Sequence, residues 1–181
     1  MEVIDMKVYL IRHSEPDFTQ VDQAGYVGYG RDLTRLTPRG IDIADKAAKN
    51  PLFNNMQLLL VSPYTRTMET ALEIVRYHPQ IPVTVELLLH EWRPDKTGRK
   101  LTGYPMVKAA YEDYLHNTHN SDLNYETADE VIHRVESVLD KYKDRYDTIG
   151  CVTHGQVIRR MMNINMKTQI PYCGIYRLNY K

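Results

Sequence analysis

Two histidines, two arginines and a glutamate stand in this chain where strand-like runs give way to turns. Arg12-His13 follows the apolar run Val8–Ile11, and Arg66 lies just beyond Gln57–Val61 and Ser62. Glu91 follows Val83–Leu89 and His90, and His154 ends Thr148–Thr153. A guanidinium stays charged at any physiological pH and its fork matches phosphate oxygens, so Arg12 and Arg66 suit a phosphoryl group and its in-line transition state. A neutral imidazole is a competent nucleophile at phosphorus, and a protonated one donates to an equatorial oxygen. A carboxylic acid such as Glu91 can protonate a departing alkoxide. The inventory is that of phosphoryl transfer through a nucleophilic histidine, His13. Arg12-His13 alone supports no more than an anion site at a strand end; the three later positions give the pair its weight.

Those positions must be brought together by the elements that carry them. Thr37 and Pro38 form an N-cap and first helical position, and Ile41, Ala44, Ala47 and Ala48 recur at helical spacing until Asn50-Pro51. Ser62-Pro63 reads as a second cap, followed by Met68, Ala71, Leu72 and Val75 as an apolar helical stripe. Arg66 falls in the first turn of that helix, where a cation is unfavourable unless an anion binds. Thr127-Ala128-Asp129-Glu130 is a capping box, with Val131, Val135, Val138, Leu139 and Tyr142 on one face behind it. Val157, Ile158, Met161 and Met162 mark a further helix, and Gly174–Tyr180 alternates as a last strand, at an edge. Strands alternating with helices predict an α/β domain with a largely parallel sheet and helices on both faces. In such a sheet the carboxyl ends share one edge, where ligands bind.

Asp17–Leu36 shows no period and reads as a long loop. Residues 92–125 lose the pattern around Pro94, Gly98, Gly103 and Pro105, apart from a short helix near Met106–Leu115. They read as an insertion over the site, a lid, within one domain spanning 1–181.

With 23 basic and 23 acidic residues in 181, the chain has no overall charge to draw it to nucleic acid or an anionic membrane. No run reaches the roughly 18 apolar residues of a membrane span, and MEVIDMK is no signal peptide, so a cytoplasmic protein is expected. Cys151 and Cys173 read as core thiols. The histidines lack metal-ligand spacing, and no glycine-rich loop ends in Lys-Ser or Lys-Thr, so neither a metal nor a nucleotide triphosphate is expected.

In order along the chain stand L-I-R-H, L-T-P-R-G, S-P-Y-T-R-T-M-E-T-A, Glu91 and V-T-H-G-Q-V-I-R. With these motifs the chain resembles the histidine phosphatase superfamily. The resemblance implies a three-layer α/β/α, phosphoglycerate-mutase-like fold and no cofactor. It also implies that His13 is phosphorylated in a covalent intermediate, that Arg12, Arg66, His154 and Gly155 form the phosphate pocket, and that Glu91 is proton donor and then base. A metal-independent phosphatase acting on a small phosphomonoester is the expectation.

Two departures stand out. Ser14 follows the nucleophile where the family usually has glycine, and Thr19 occupies the sixth position after His13, where mutase-type members have asparagine. Thr19 is retained as a phosphate contact. A phosphoglycerate-type mutase is the alternative enzyme, with Arg93, Arg99 and Lys100 available to a substrate carboxylate, and a non-catalytic phospho-ligand-binding module is the alternative of another class. Glu86 and Asp95 compete with Glu91 for the acid's place. Neither the substrate nor the oligomeric state is encoded in any spacing.

Overall fold

The computed structural model describes residues 5–26, 28–97 and 104–181. Its strands are β1 (Met6–Arg12), β2 (Pro16–Asp17), β3 (Arg35–Leu36), β4 (Leu58–Val61), β5 (Val83–Val85), β6 (Thr148–Thr153) and β7 (Ile175–Tyr180). Its α-helices are α1 (Thr19–Gln23), α2 (Pro38–Ala48), α3 (Thr65–Tyr77), α4 (Tyr104–His116), α5 (Ala128–Leu139) and α6 (Gly155–Met161). The main sheet has the order β5-β4-β6-β1-β7, parallel except for β7, which runs antiparallel to β1 along the edge. After β5 the chain returns to insert β6 between β4 and β1, and this reversal opens a crevice at the carboxyl ends of those three strands.

Side chains alternate across the sheet, and both faces are covered, which is why its central strands read as continuous apolar runs. Val8, Leu10, Leu58, Leu60, Ile149 and Cys151 pack with Val131, Val135 and Val138 of α5 and Val157 and Ile158 of α6. Ile11, Leu59, Val61 and Val152 pack on the other side with Ala48, Phe53, Ala71 and Ile74. Burying each such aliphatic side chain contributes about 1.5–3 kcal/mol. Trp92, Ala110, Tyr114, Leu123 and Tyr125 of the irregular segment join the first of these layers.

The predicted caps form. Thr37 accepts a hydrogen bond from the Gly40 amide at 2.8 Å with Pro38 leading α2, and Thr127 and Glu130 close the capping box of α5. Gly40 has no room for a side chain, since a Cβ there would lie 2.4 Å from the Glu15 carbonyl oxygen. The loop after β1 thus runs directly across the start of α2.

Four expectations need correction. The third strand stops at Val85, and Leu87–Leu89 forms a 3-10 turn, because the Glu86 carboxylate is drawn to the Tyr142 hydroxyl at 2.5 Å and the Lys141 ammonium at 2.8 Å. α3 begins at Thr65 with Tyr64 as its N-cap, and no side chain caps it; Ser62 has another use, described below. On α3, Met68 and Leu72 face outward, 40% and 59% exposed, while Arg66, Thr67, Thr70, Ala71 and Ile74 are buried. Asp17–Leu36 is built of α1, a 3-10 turn at Gly28–Leu33 and the β2–β3 ladder, each too short to show a period.

Candidate active site

Arg12 lies opposite Thr153 in the parallel β1–β6 pair, so the next residue of each strand, His13 and His154, emerges beside the other. Their ring centroids are 5.2 Å apart, near the spacing of about 4.8 Å between strands. The His13 amide continues the ladder, donating to the Thr153 carbonyl at 2.9 Å, and the Ser62 amide does the same to Val152 at 3.0 Å. Ser62 thereby meets His154, with its hydroxyl 2.7 Å from Nε2. Just beyond it, the first turn of α3 brings the Arg66 Nη2 to 3.3 Å from His154 Nδ1.

These partners fix the tautomers. A guanidinium only donates, so His154 Nδ1 accepts and its Nε2–H donates to Ser62. A carbonyl only accepts, so His13 Nδ1, 2.6 Å from the Ser14 oxygen, carries the hydrogen. His13 Nε2 is left with its lone pair. Burial, then Arg66, holds both imidazoles well below the usual histidine pKa; Arg12 adds to this at His13, where the Ser14 carbonyl opposes it, and His13 adds to it at His154. Both rings are therefore neutral at pH 7.

Arg12 donates through Nη1 to the Ile170 carbonyl and lies over the Tyr172 ring, 4.5 Å from its centroid. Its Nε is buried without a hydrogen-bond partner among the described residues, and a Cβ on Gly155 would come within 3.6 Å of it. Arg66 is itself buried, its guanidinium 4.9 Å from the Tyr64 ring centroid. The predicted positions Arg12, His13, Arg66, His154 and Gly155 are thus brought together.

Ser14 fits where glycine was expected. Among the described non-glycine residues only Asn117, Asn163 and Cys173 have positive φ, so Ser14 requires no conformation special to glycine. Its hydroxyl donates to the Gly40 carbonyl at 2.6 Å, and its amide donates to Thr70 Oγ1 at 2.9 Å. Thr70 in turn donates to the Arg66 carbonyl at 2.7 Å, tying the His13 loop to α3.

Glu91 reaches the same place by a longer route than a strand end. The Thr153 hydroxyl donates to the Leu89 carbonyl at 2.9 Å, anchoring the 3-10 turn beside β6. Glu91 then accepts from the Trp92 amide at 2.8 Å and the Gln156 amide at 3.4 Å. Burial raises its pKa against the pull of the Trp92 amide, Arg66 and the Gln156 amide, which favours a protonated carboxyl. The rival carboxylates are spent elsewhere: Glu86 on Lys141 and Tyr142, Asp95 on the Thr97 hydroxyl at 2.6 Å. Trp92 packs against Tyr111 and Tyr114 of α4, with centroids 5.6 and 4.9 Å away, and Gln156 donates to the Tyr111 hydroxyl at 3.0 Å. The inserted helix therefore abuts the Glu91 side of the cluster.

Thr19 is exposed at the start of α1, its amide donating to Asp17 Oδ1 at 2.9 Å. Arg99 and Lys100 lie outside the described residues. Three participants were not foreseen in their present places. Tyr64 sets its ring edge-on to His154 at 4.8 Å. Asp32, from the 3-10 turn, faces Tyr64, Arg66 and Arg93; burial raises its pKa to about 6 against their pull. Arg93 also faces Tyr64. Tyr64 lay within a quoted motif, whereas nothing in the spacing marked Asp32.

Two imidazoles, two guanidiniums and a carboxyl whose pKa burial raises, around one opening, can bind a phosphoryl group and transfer it. The sequence profile of the histidine phosphatase superfamily (branch 1) matches residues 8–180. The chain belongs to this superfamily. A phosphoglycerate mutase family protein of Acanthamoeba polyphaga mimivirus is 32% identical over 159 residues, which cover 85% of this chain and 76% of that one. Among solved structures, a phosphoserine phosphatase of Entamoeba histolytica superposes with a TM-score of 0.67 at 22% identity, covering 95% of this chain and 89% of that one. A phosphoglycerate mutase of Bacillus anthracis gives 0.67 at 14% identity, covering 100% and 91%. At such identities the superpositions establish the shared fold, and the proteins that share it include a phosphatase and a mutase. Among the described residues, no helix is long and apolar enough to cross a membrane, and no three His, Cys, Asp or Glu side chains cluster as metal ligands.

Proposed function

We propose that the chain is a phosphatase that hydrolyses a small phosphomonoester through a phosphohistidine on His13, without a metal ion. The observation that carries this reading is the free Nε2 of His13, held neutral and aimed beside two guanidiniums by the Nδ1–H bond to Ser14. Arg12 and Arg66 supply the positive charge that phosphoryl transfer otherwise draws from a cation. Phosphatase and mutase relatives share this fold, and Thr19 in place of the asparagine of mutase-type members favours hydrolysis.

In the first step a bond forms between His13 Nε2 and phosphorus as the ester P–O bond breaks, and Glu91 gives its proton to the departing alkoxide. In the second, Glu91 takes a proton from water as the water oxygen bonds phosphorus and the N–P bond breaks. Inorganic phosphate leaves with His13 neutral and Glu91 protonated again. Arg12 and Arg66 hold the phosphoryl oxygens throughout, His154 steadies the Arg66 guanidinium through Nδ1, and α4 packs against Trp92 on the Glu91 side. Rapid-quench labelling with a phosphodonor is expected to give an acid-labile phosphoprotein, and His13→Ala is expected to lose both label and turnover. Undiminished turnover in that variant, assayed with chelator and no added metal, would overturn the reading.

A further inference from the structure

A turn just before β7 holds Arg12 by its backbone, by the edge of its guanidinium and by the guanidinium face. The Arg12 amide donates to the Gly174 carbonyl at 3.0 Å, and the Arg12 carbonyl accepts from the Cys173 amide at 3.1 Å. Arg12 Nη1 donates to the Ile170 carbonyl, and the guanidinium carbon lies over the Tyr172 ring, 4.5 Å from its centroid. The Gly174 amide closes the turn by donating to the Pro171 carbonyl at 3.1 Å, with Cys173 at the third position and a φ of 55°. A positive φ there is the pattern of a type II turn, which ordinarily takes glycine. A side chain in that conformation is strained and persists where its surroundings over-determine it; here the Cys173 amide is held by Arg12 itself. Tyr172, one residue earlier, stays at the rim of the opening, 37% exposed, and its ring centroid is also 6.4 Å from that of His13.

These contacts decide which edge of the guanidinium is left for a ligand. With Nη1 committed to Ile170, the edge that carries Nε and Nη2 remains, and Nε is buried without a hydrogen-bond partner among the described residues. Two donors side by side on one edge make the paired, charge-assisted bonds by which arginine grips a phosphate. Aiming that edge requires a fixed guanidinium plane, and a single bond at Nη1 leaves the plane free to tilt. The face of an aromatic ring attracts a cation and resists the tilt. We infer that Tyr172 is a positioning residue for phosphoryl binding: its ring face fixes the plane of the Arg12 guanidinium, so that Nε and Nη2 meet the phosphoryl oxygens. The inference rests on the phosphatase reading, in which Arg12 holds those oxygens. It assigns the effect to the ring face, and the Tyr172 hydroxyl has no part in it.

Rings of graded charge test this in the full chain: Tyr172→Phe, Tyr172→Leu, and Tyr172 replaced by difluorophenylalanine and by pentafluorophenylalanine. Fluorine withdraws negative charge from the ring face and changes the ring's size little, so a ring that only fills space gives no trend along the series. The readout is the inhibition constant of orthovanadate, which imitates the five-coordinate phosphoryl transition state, against hydrolysis of p-nitrophenyl phosphate. An inhibition constant is independent of the fraction of active protein, so a poorly folded variant does not obscure it. Tyr172→Phe is expected to keep the constant within about twofold, the fluorinated rings to raise it stepwise, and Tyr172→Leu to raise it about tenfold, as for one cation–π contact. A constant that does not rise along the fluorinated series, or a loss in Tyr172→Phe as large as in Tyr172→Leu, overturns this inference and leaves the phosphatase reading standing. A wild-type chain that does not hydrolyse p-nitrophenyl phosphate, or hydrolyses it without inhibition by orthovanadate, overturns both.

Discussion

Restoring glycine at position 14 tests how this chain has adapted the loop that holds its nucleophile. Ser14 is fully buried, with its hydroxyl 2.6 Å from the Gly40 carbonyl and the Cys173 thiol within hydrogen-bonding reach. Ser14→Ala removes that hydroxyl, while the Gly40 carbonyl keeps its place in the first turn of α2, so the loss is one hydrogen bond, about 1 kcal/mol. Ser14→Gly also frees the unfolded backbone, at about 0.5–1 kcal/mol, and leaves the volume of a methylene unfilled. The two variants should therefore fall in sequence, by about 1 and about 2 kcal/mol, or roughly 2–4 °C of Tm per kcal/mol in a chain of this size.

Neither change touches the main-chain carbonyl that orients His13 or the amide bonded to Thr70. Turnover should fall by less than about tenfold, since the geometry at Nε2 is set by main-chain atoms. Thermal denaturation and phosphate release on the same preparations measure both quantities. A glycine variant as stable as the wild type, or an alanine variant less stable than the glycine one, refutes the assignment of Ser14 as a buried polar tie.

Two further predictions follow from the titrating groups. Glu91→Gln is expected to lower kcat by about 10²–10⁴ on an alkyl phosphate, where the leaving group needs a proton, and much less on p-nitrophenyl phosphate; equal losses on both would remove Glu91 from the acid's role. His13 and His154 titrate well below their unfolded value when folded, so below about pH 6.5 the unfolded chain binds protons that the folded chain does not, and stability falls by about 1.4 kcal/mol per pH unit for each. Asp32, raised to about 6, and Glu91, also raised by burial, have the opposite sign below their folded values and offset part of the fall; in an Asp32→Asn, Glu91→Gln variant, which lacks both offsets, a Tm that is flat or rising from pH 7 to pH 5 would contradict neutral, buried histidines.

The sheet and most of the site were legible in the sequence because their signals are local. Apolar runs of strand length, Thr37-Pro38 and the Thr127–Glu130 box each fix an element without help from the rest of the fold. The parallel connection then places His13, His154 and Arg66 together through register alone. Illegible positions depend on contacts between distant segments. Nothing near Val83–Leu89 shows that Glu86 is pulled from the strand line by Lys141 and Tyr142, or that the Thr153 hydroxyl anchors Leu89. Asp32 lies in a turn without period, and its surroundings come from α3 and from the segment after Glu91.

α3 shows why the misreading of its stripe and the chemistry of the site have one cause. A surface helix ordinarily turns its apolar side inward, and Met68, Leu72 and Val75 at helical spacing suggest that side. The inward face instead carries Arg66, Thr67 and Thr70, because it borders the crevice and not the core alone. Thr67 donates to the Ser62 and Tyr64 carbonyls and Thr70 to the Arg66 carbonyl, so the buried hydroxyls are satisfied within the helix start. Thr70 also receives the Ser14 amide, and Arg66 donates to His154. The helix thus gives up apolar burial along its first two turns, leaving Met68 and Leu72 in solvent, and in exchange holds both histidine loops through one rigid element. Such a rule-breaking face is where sequence periodicity should fail, since local pattern and function there require opposite residues.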